Sequence, residues 1–419
     1  MPDITFALNA TLDALDSLGI QTDVEQFAAR HWTLPKQPLK ALDALILGPG
    51  TPAHSLSDLA VGLDWGKNRF GPLLGEVDPD AWVRLLRRPM RRKLRKVLMR
   101  YHSPGVSAAT KSRYRITFVW DITTLLKVGQ MLGLADLFYS GMLKRPSHSI
   151  EVVLLYAIVG ENFLCLPMDF RIRKPDPKGP GHPCKTGLEL AQEMLEDLHR
   201  CLRTHGLSLK GHFLVADAWF TDSEKLDGVK ALGLIPIVAG KSSFIFEGNT
   251  QGQPFKGSMQ DLLERTDWSW KVSPLAPDVP YVRLKMTSPT FGPAVVTLCH
   301  WKGEDDPGYL ICLVPEVSSP RIIRAYSRRP WVEACFEVCK ATINIERFKL
   351  RSAGGIWGFI ALRFLSFAVF DYAGRRMTKG KLSAGQIIRT LRYHGTLWLQ
   401  QLLERETLSS PYALHPLAA

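Results

Sequence analysis

Apolar residues recur at helical spacing through the first hundred positions and at strand spacing after them, and this change of period divides the chain. Amphipathic segments cover about 4–18 and 22–32, and a Pro/Gly-rich break follows at Gly48–Pro52. From Tyr114 the texture becomes α/β. Arg115–Asp121 reads as a strand ending in an acid, and Glu151–Val159 and Phe163–Arg171 flank Gly160-Glu161-Asn162 as a hairpin. A basic loop, Arg173–Pro183, precedes an amphipathic helix over 185–204. His212–Asp217 is a second strand ending in an acid, followed by a helix near 221–232 and a strand at Ile235–Val238. Positions 240–318 are β-like and turn-rich, and helical patterns return over 331–345, 355–376 and 384–406, with no internal repeat. The apolar run Ile356–Phe370 carries Arg363 and falls short of the ~20 residues that span a bilayer, so a buried core helix is expected and no membrane association.

Composition adds a partner class. Apolar residues make up 46% and charged residues 22% of the 419 positions, which excludes a mainly disordered chain and predicts two or three structural units. Lys and Arg number 53 against 40 Asp and Glu, a net +13 that points to a polyanion. Nine of those cations, and no acid, fall in Arg84–Arg100. Leu85, Leu86, Leu94, Val97 and Leu98 interrupt them, which predicts a helix with an apolar seam and a broad cationic face, started or kinked by Pro89. On that reading Arg87, Arg88, Arg91, Arg92, Lys93, Arg95 and Lys96 contact DNA phosphates; the alternative is a solvated helix face. Just upstream, Ser55–Leu63, Asp64-Trp65-Gly66 and Lys67–Leu74 have the layout of a helix-turn-helix, with Lys67, Asn68 and Arg69 opening the second helix. Pro72 and Asp64 fit that motif poorly, and a merely structural helical pair is the competing reading. The seven cysteines are scattered without CxxC pairs, so neither a disulfide framework nor structural zinc is expected, and Cys335 and Cys339 read as packing residues. With no signal-peptide pattern at the amino terminus, a cytoplasmic protein, nucleoid-associated when on DNA, is the expectation.

Candidate chemistry comes from three acids. Asp121 and Asp217 end predicted strands, and Glu333 stands near the start of a predicted helix. Acids at strand ends gather at an open sheet edge, where ligand sites of α/β folds form. Three carboxylates there repel one another unless a cation neutralises them, which suits hard divalent ions and two-metal phosphoryl transfer. The segment Tyr326-Ser-Arg-Arg329-Pro-Trp-Val-Glu333-Ala-Cys-Phe-Glu-Val-Cys-Lys340 spells Y-(2)-R-(3)-E-(6)-K, with Glu333, Phe336 and Lys340 on one side of a helix.

This segment resembles the YREK signature of bacterial insertion-sequence transposases, in the insertion-sequence-4 branch of the DDE superfamily. The resemblance covers about Tyr114–Tyr372. Asp217 follows Asp121 by 96 residues and Glu333 follows Asp217 by 116, a gap this family fills with a β-rich insertion. It implies a ribonuclease H-like catalytic core interrupted by that insertion, with a helical DNA-binding region before it and a helical region after it. The units expected are 1–105 (helical, DNA-binding), 106–239 and 319–378 (the two parts of the core), 240–318 (the insertion) and 379–419 (helical, with Leu382–Leu403 as a dimer element). In family terms Asp121, Asp217 and Glu333 hold two Mg²⁺ ions, for which Mn²⁺ can substitute, and Tyr326, Arg329 and Lys340 grip phosphates near the cleaved end. Trp219 matches the aromatic that follows the second acid. The Trp that commonly follows the Arg is displaced to Trp331, and Ile122-Thr123 replaces a second acid after Asp121. Trp301 and Trp331, with Trp268 and Trp270 behind them, are the candidates to stack a flipped base, a core role being the more common one for each. The activity implied is cut-and-paste transposition: binding of inverted-repeat ends, strand cleavage and strand transfer to target DNA, with a homodimer in the synaptic complex. The alternative is a domesticated relative that binds DNA without cutting.

Overall fold

The computed structural model describes residues 3–126, 134–140, 144–160, 164–173, 185–265, 268–303 and 307–404. The fold is mixed α/β. Its amino-terminal helices are α1 (Ile4–Leu18), α2 (Ile20–His31), α3 (Lys36–Leu47), α4 (Leu56–Gly62), α5 (Phe70–Gly75), α6 (Pro79–His102) and α7 (Ala108–Tyr114). There follow β1 (Ile116–Leu126), β2 (Asp136–Ser140), β3 (Arg145–Val159), β4 (Leu164–Ile172), α8 (Gly187–Arg203), β5 (Phe213–Ala216), α9 (Ser223–Ala231) and β6 (Ile235–Ala239). The β-rich stretch holds β7 (Ile245–Thr250), β8 (Gln253–Ser258), α10 (Met259–Leu263), β9 (Lys271–Ser273), β10 (Ala276–Ser288), β11 (Gly292–Cys299) and β12 (Gly308–Cys312). Last come α11 (Ser319–Tyr326), α12 (Pro330–Glu337), α13 (Ala353–Tyr372), α14 (Ala384–Tyr393) and α15 (Leu397–Glu404). Both α12 and α13 run on into a π-helical turn, Val338–Thr342 and Ala373–Met377 respectively.

Among the described residues, twelve strands join one mixed sheet. Its centre is β4-β3-β1-β5-β6, with β3 antiparallel to β1 and β4, and β5 parallel to both β1 and β6. The segment expected as an insertion is continuous with this sheet. Leu310, Ile311 and Cys312 of β12 pair with Ala239, Val238 and Ile237 of β6, and β11, β10, β7 and β8 continue outward. An unpaired β6 edge would leave a row of amide donors and acceptors open, and β12 takes them up. Strand β1 is longer than expected: its ladder with β3 runs from Ile116↔Val159 to Leu126↔Ser149. Asp121 therefore lies in mid-strand, and the β-branched Ile122, Thr123 and Thr124 carry the strand past it.

Helix α13 organises the remainder. Every residue from Gly354 to Tyr372 is buried, and α1, α3, α5, α6, α14 and β4 pack around it. With its π turn (Ala353–Met377) it is long and apolar enough to cross a membrane, yet 94% of its most apolar 18-residue window is enclosed by the fold. Arg363 is accommodated because it donates to the Leu45 carbonyl at 3.0 Å and lies over the Phe359 ring. Gly354 and Gly358 permit close approach: a Cβ at 354 would stand 2.3 Å from the Val77 carbonyl oxygen, and one at 358 would stand 2.6 Å from the Trp82 ring. The helices expected to form a separate domain over 1–105 and a separate region over 379–419 thus share one core on α13. Ile387, Ile388, Leu391, Trp398, Leu399 and Leu402 are buried by the same chain, with α14 on α1 and α13 and α15 on α3. Much of the apolar face expected at a dimer contact is thus covered within the chain, while Tyr393 (70% exposed) and Leu397 (58% exposed) stay open. Residues 405–419 of that unit lie outside the described residues, as do Cys184 and 174–183 of the basic loop.

His212 joins β5 to β1 and α6. Its Nδ1 accepts the Ile116 N–H at 3.0 Å and its ring meets Tyr101 at 4.3 Å. Burial, with His102 and Arg115 nearby, lowers its pKa to about 3. The folded protein therefore favours neutral imidazole: this stabilisation is complete above pH ~6.5 and is lost as pH falls towards 3, on the order of 5 kcal/mol in all. Urea unfolding of His212→Asn, whose amide oxygen can accept the same N–H, is expected to show a flatter dependence between pH 6.5 and 4 than the unmodified protein. Equal slopes would rule His212 out as the source.

Candidate active site

Strands β1 and β5 are parallel neighbours, and this brings Asp121 beside Asp217 despite their separation in sequence. Asp217 follows β5 and caps the single turn Ala218–Phe220, its Oδ1 accepting the Trp219 N–H at 2.8 Å. Helix α12 lies against β1 and carries Glu333 one turn after Arg329. The Arg329 guanidinium is the common partner of all three acids. It lies 2.6 Å from Glu333 Oε1, 3.3 Å from Asp217 Oδ2 and 3.8 Å from Asp121 Oδ1. The acids grade from a nearly buried Asp121 side chain (11% exposed) through Asp217 (36%) to Glu333 (53%), so the cluster opens to solvent on the α12 side. Burial pushes the Asp121 carboxyl up to about 7; Arg329 opposes this, and the other two acids reinforce it. Burial alone would lower the Arg329 pKa, but the surrounding acids raise it above its ordinary value, so it stays charged.

The rest of the signature flanks the cluster: Tyr326 ends α11 with Arg329 and the three acids as its charged neighbours, and Lys340 reaches β1. Tyr326 is half-buried with its ring 6.4 Å from that of Trp301, and burial pushes its hydroxyl up to about 12. Lys340 stands in the π-helical turn after α12. The wider turn shifts its register from the one-sided α-helical arrangement expected with Glu333. Its Nζ donates to the Thr124 carbonyl at 2.8 Å, three residues along β1 from Asp121, and lies 3.9 Å from Glu346. Burial lowers its pKa, with Glu346 opposing. The adjacent Arg328 was not singled out from sequence. It is buried and donates to Thr117 Oγ1 at 2.9 Å, so the Arg328-Arg329 pair divides between holding β1 and facing the acids.

The tryptophans separate by environment. Trp268 is buried and donates to the Leu262 carbonyl, and Trp301 packs against the core beside Gly308. Trp331 is covered by the Arg375 guanidinium 4.1 Å above its ring, while Arg375 itself grips buried Asp371 at 2.7 and 2.8 Å. Trp270 is 37% exposed on the β-rich extension. Trp219, next to Asp217, is 53% exposed and is the aromatic that stands open at the acid cluster.

Several residues assigned to DNA have internal partners. Pro89 lies inside α6, which starts at Pro79 behind the Asp78 cap. Arg87 and Arg91 of α6 approach buried Asp169 of β4 at 2.6 and 3.8 Å, and Arg92 is bound to Asp23. Arg95 meets His205, Lys93 donates to the Tyr372 hydroxyl at 2.8 Å, and half-buried Arg88 lies near Asp23. The broad cationic face expected of this helix is therefore reduced to its open positions, Arg84, Lys96 and Arg100. Lys67, Asn68 and Arg69 precede α5 instead of opening it, because Asp64 takes a left-handed conformation (φ 58°) and prolongs the turn. Helix α5 has six residues, with Phe70 and Leu74 buried, so the merely structural helical pair describes it better than a groove-reading helix. Arg69 is held by Gln37 and the Trp65 ring, whereas Lys67 and Asn68 line a cleft opposite Glu346–Leu350.

Among the described residues, no three His, Cys, Asp or Glu side chains stand close enough to enclose an ion by themselves. The acids meet through Arg329 instead. Their chemistry nevertheless suits a hard divalent cation: all three offer carboxylate oxygens, and they already converge on one positive group. No protein-family model matches the chain, and no curated protein does.

Proposed function

We propose that the chain is a DNA transposase with a ribonuclease H-like core, which cuts the ends of its element and joins them to target DNA by a DDE mechanism. The observation that carries this reading is the meeting of Asp121, Asp217 and Glu333 around Arg329, itself part of the Tyr326–Lys340 signature. The placement of two acids on neighbouring parallel strands, with the third on a helix packed against them, supports the core assignment.

Mg²⁺ or Mn²⁺ ions held by the three acids would activate the attacking oxygen and neutralise charge at the leaving oxygen. The chain's own residues position the phosphodiester. Arg329 offers a planar guanidinium suited to two phosphate oxygens at once. Tyr326, its hydroxyl held protonated, donates a hydrogen bond and does not serve as a base. Lys340 adds a point charge further along β1. Attack by water and attack by a freed 3′-hydroxyl need the same in-line geometry, so one acid set serves both steps without a covalent protein–DNA bond. Arg84, Lys96 and Arg100 supply sequence-independent attraction to the duplex. Pairing two DNA ends calls for two copies of the chain, through a surface other than the buried faces of α14 and α15.

The test is a cleavage assay on a plasmid carrying the gene with its native flanks. Discrete breaks at the flanks that require Mg²⁺ are expected. Salt-sensitive DNA binding with no breaks in Mg²⁺ or Mn²⁺ would overturn the transposase reading in favour of a non-cutting DNA-binding relative.

A further inference from the structure

The carboxy-terminal half of α6 opens on a second feature, away from the acid cluster. A cleft of about 370 Å³ lies between α6, α7, the ends of β3 and β4, and the π-helical turn after α13. Five cations line it: Lys93, Lys96 and Arg100 from α6, Arg113 from α7 and Arg376 from the π turn. No carboxylate lines it, and among the described residues none of the five forms an ion pair. Lys96, Arg100, Arg113 and Arg376 are exposed, and Lys93 is oriented by the Tyr372 hydroxyl and ring. Five like charges drawn together from three elements repel one another, and burial against a polyanion removes that cost. The rest of α6 behaves differently, since Arg87, Arg91 and Arg92 all have acidic partners. Of the open cations of this helix, Lys96 and Arg100 lie in the cleft, and Arg84, towards its amino-terminal end, lies outside it.

We infer that this cleft binds consecutive phosphates of a DNA backbone, an assignment that rests on the transposase reading. Its volume admits one strand's phosphates and sugars and excludes a whole duplex, so the duplex would lie across the mouth with one strand seated. Strand β1 begins beside the cleft and reaches Asp121 five residues later, about 17 Å along the strand, which is roughly five base pairs of helix rise. A DNA end anchored here is therefore long enough to extend to the acids.

The experiment is fluorescence anisotropy of a labelled random-sequence duplex of about 20 bp, titrated with salt; each cation lost from a phosphate lowers the log–log salt slope by ~0.9. The full chain is compared with the triple variant Lys96→Ala/Arg100→Ala/Arg113→Ala and with a control triple on the β-rich extension, Lys256→Ala/Lys271→Ala/Lys302→Ala. The three cleft residues are exposed, so melting temperature should hold, and a charge-reversing Arg100→Glu/Arg113→Glu variant provides a second probe. The cleft triple is expected to bind at least tenfold more weakly at low salt, with a slope smaller by about 3, while the control changes little. Equal losses in both triples, or an unchanged slope in the cleft triple, would overturn the assignment. Inorganic tripolyphosphate that raises the melting temperature of the unmodified chain but not of the cleft triple, with duplex binding alike in both, would overturn DNA as the occupant in favour of a small polyphosphate. If the unmodified chain cuts DNA but the cleft triple binds it normally, the cleft assignment alone fails. If the unmodified chain binds no duplex, the transposase reading fails with it.

Discussion

With Asp217 replaced by asparagine or Glu333 by glutamine, Mg²⁺-dependent strand cleavage is expected to fall by at least about 10³-fold, since groups that act as one unit lose most of their effect together. The substitutions are chosen to spare the fold. An asparagine at 217 can still accept the Trp219 N–H and cap the Ala218–Phe220 turn, whereas alanine would add the cost of a lost cap, about 1 kcal/mol. Glutamine at 333 keeps the length and polarity of a side chain that is half exposed. Each change removes one of three like charges that share Arg329, so melting temperature without divalent ions should hold or rise slightly. On the proposed reading duplex binding should persist, because the residues assigned to phosphate contact are other ones. Cleavage at the unmodified rate by either variant would remove the acids from the mechanism.

The largest expected loss of stability follows Asp169→Ala. The Asp169 side chain is 1% exposed and meets Arg87 at 2.6 Å, Arg171 at 2.7 Å and Arg91 at 3.8 Å. Asp197 of α8 joins the same network at 3.3 Å from Arg171 and 3.6 Å from Arg87, so the cluster ties α6 to β4 and α8. Removing the buried acid leaves three largely enclosed guanidinium groups short of a counter-charge, a situation that costs about 3–5 kcal/mol. Asp197 is 30% exposed and water can replace it, so Asp197→Ala should cost no more than about 1 kcal/mol. Urea unfolding of the two variants side by side measures the ratio. Similar losses would mean that Asp169 does not act as the hub of the network.

Local patterns carried much of this fold. The α1 segment, the β3–β4 hairpin, α8, β5 and the buried nature of α13 were all legible in the chain, because each rests on period, turn chemistry or the placement of one arginine. The three acids and the Tyr326–Lys340 segment were legible too, since residue types at fixed spacing do not depend on packing. What lay beyond local pattern was decided by contacts distant in sequence. Asp121 falls in mid-strand because β3 continues to pair past it, and the β-rich stretch extends the core sheet because β6 needed a partner for its open edge. Charge counting could not foresee that Asp169 and Asp23 would claim Arg87, Arg91 and Arg92, nor that Arg113 and Arg376 would join the cations left over. An amphipathic pattern says that a face will be buried but not by what, and for α14 and α15 the cover proved to be α1, α13 and α3 of the same chain. Sequence periodicity reports which side chains avoid water; which partner satisfies each buried face and charge is set by the tertiary fold, because those partners are chosen by proximity in space.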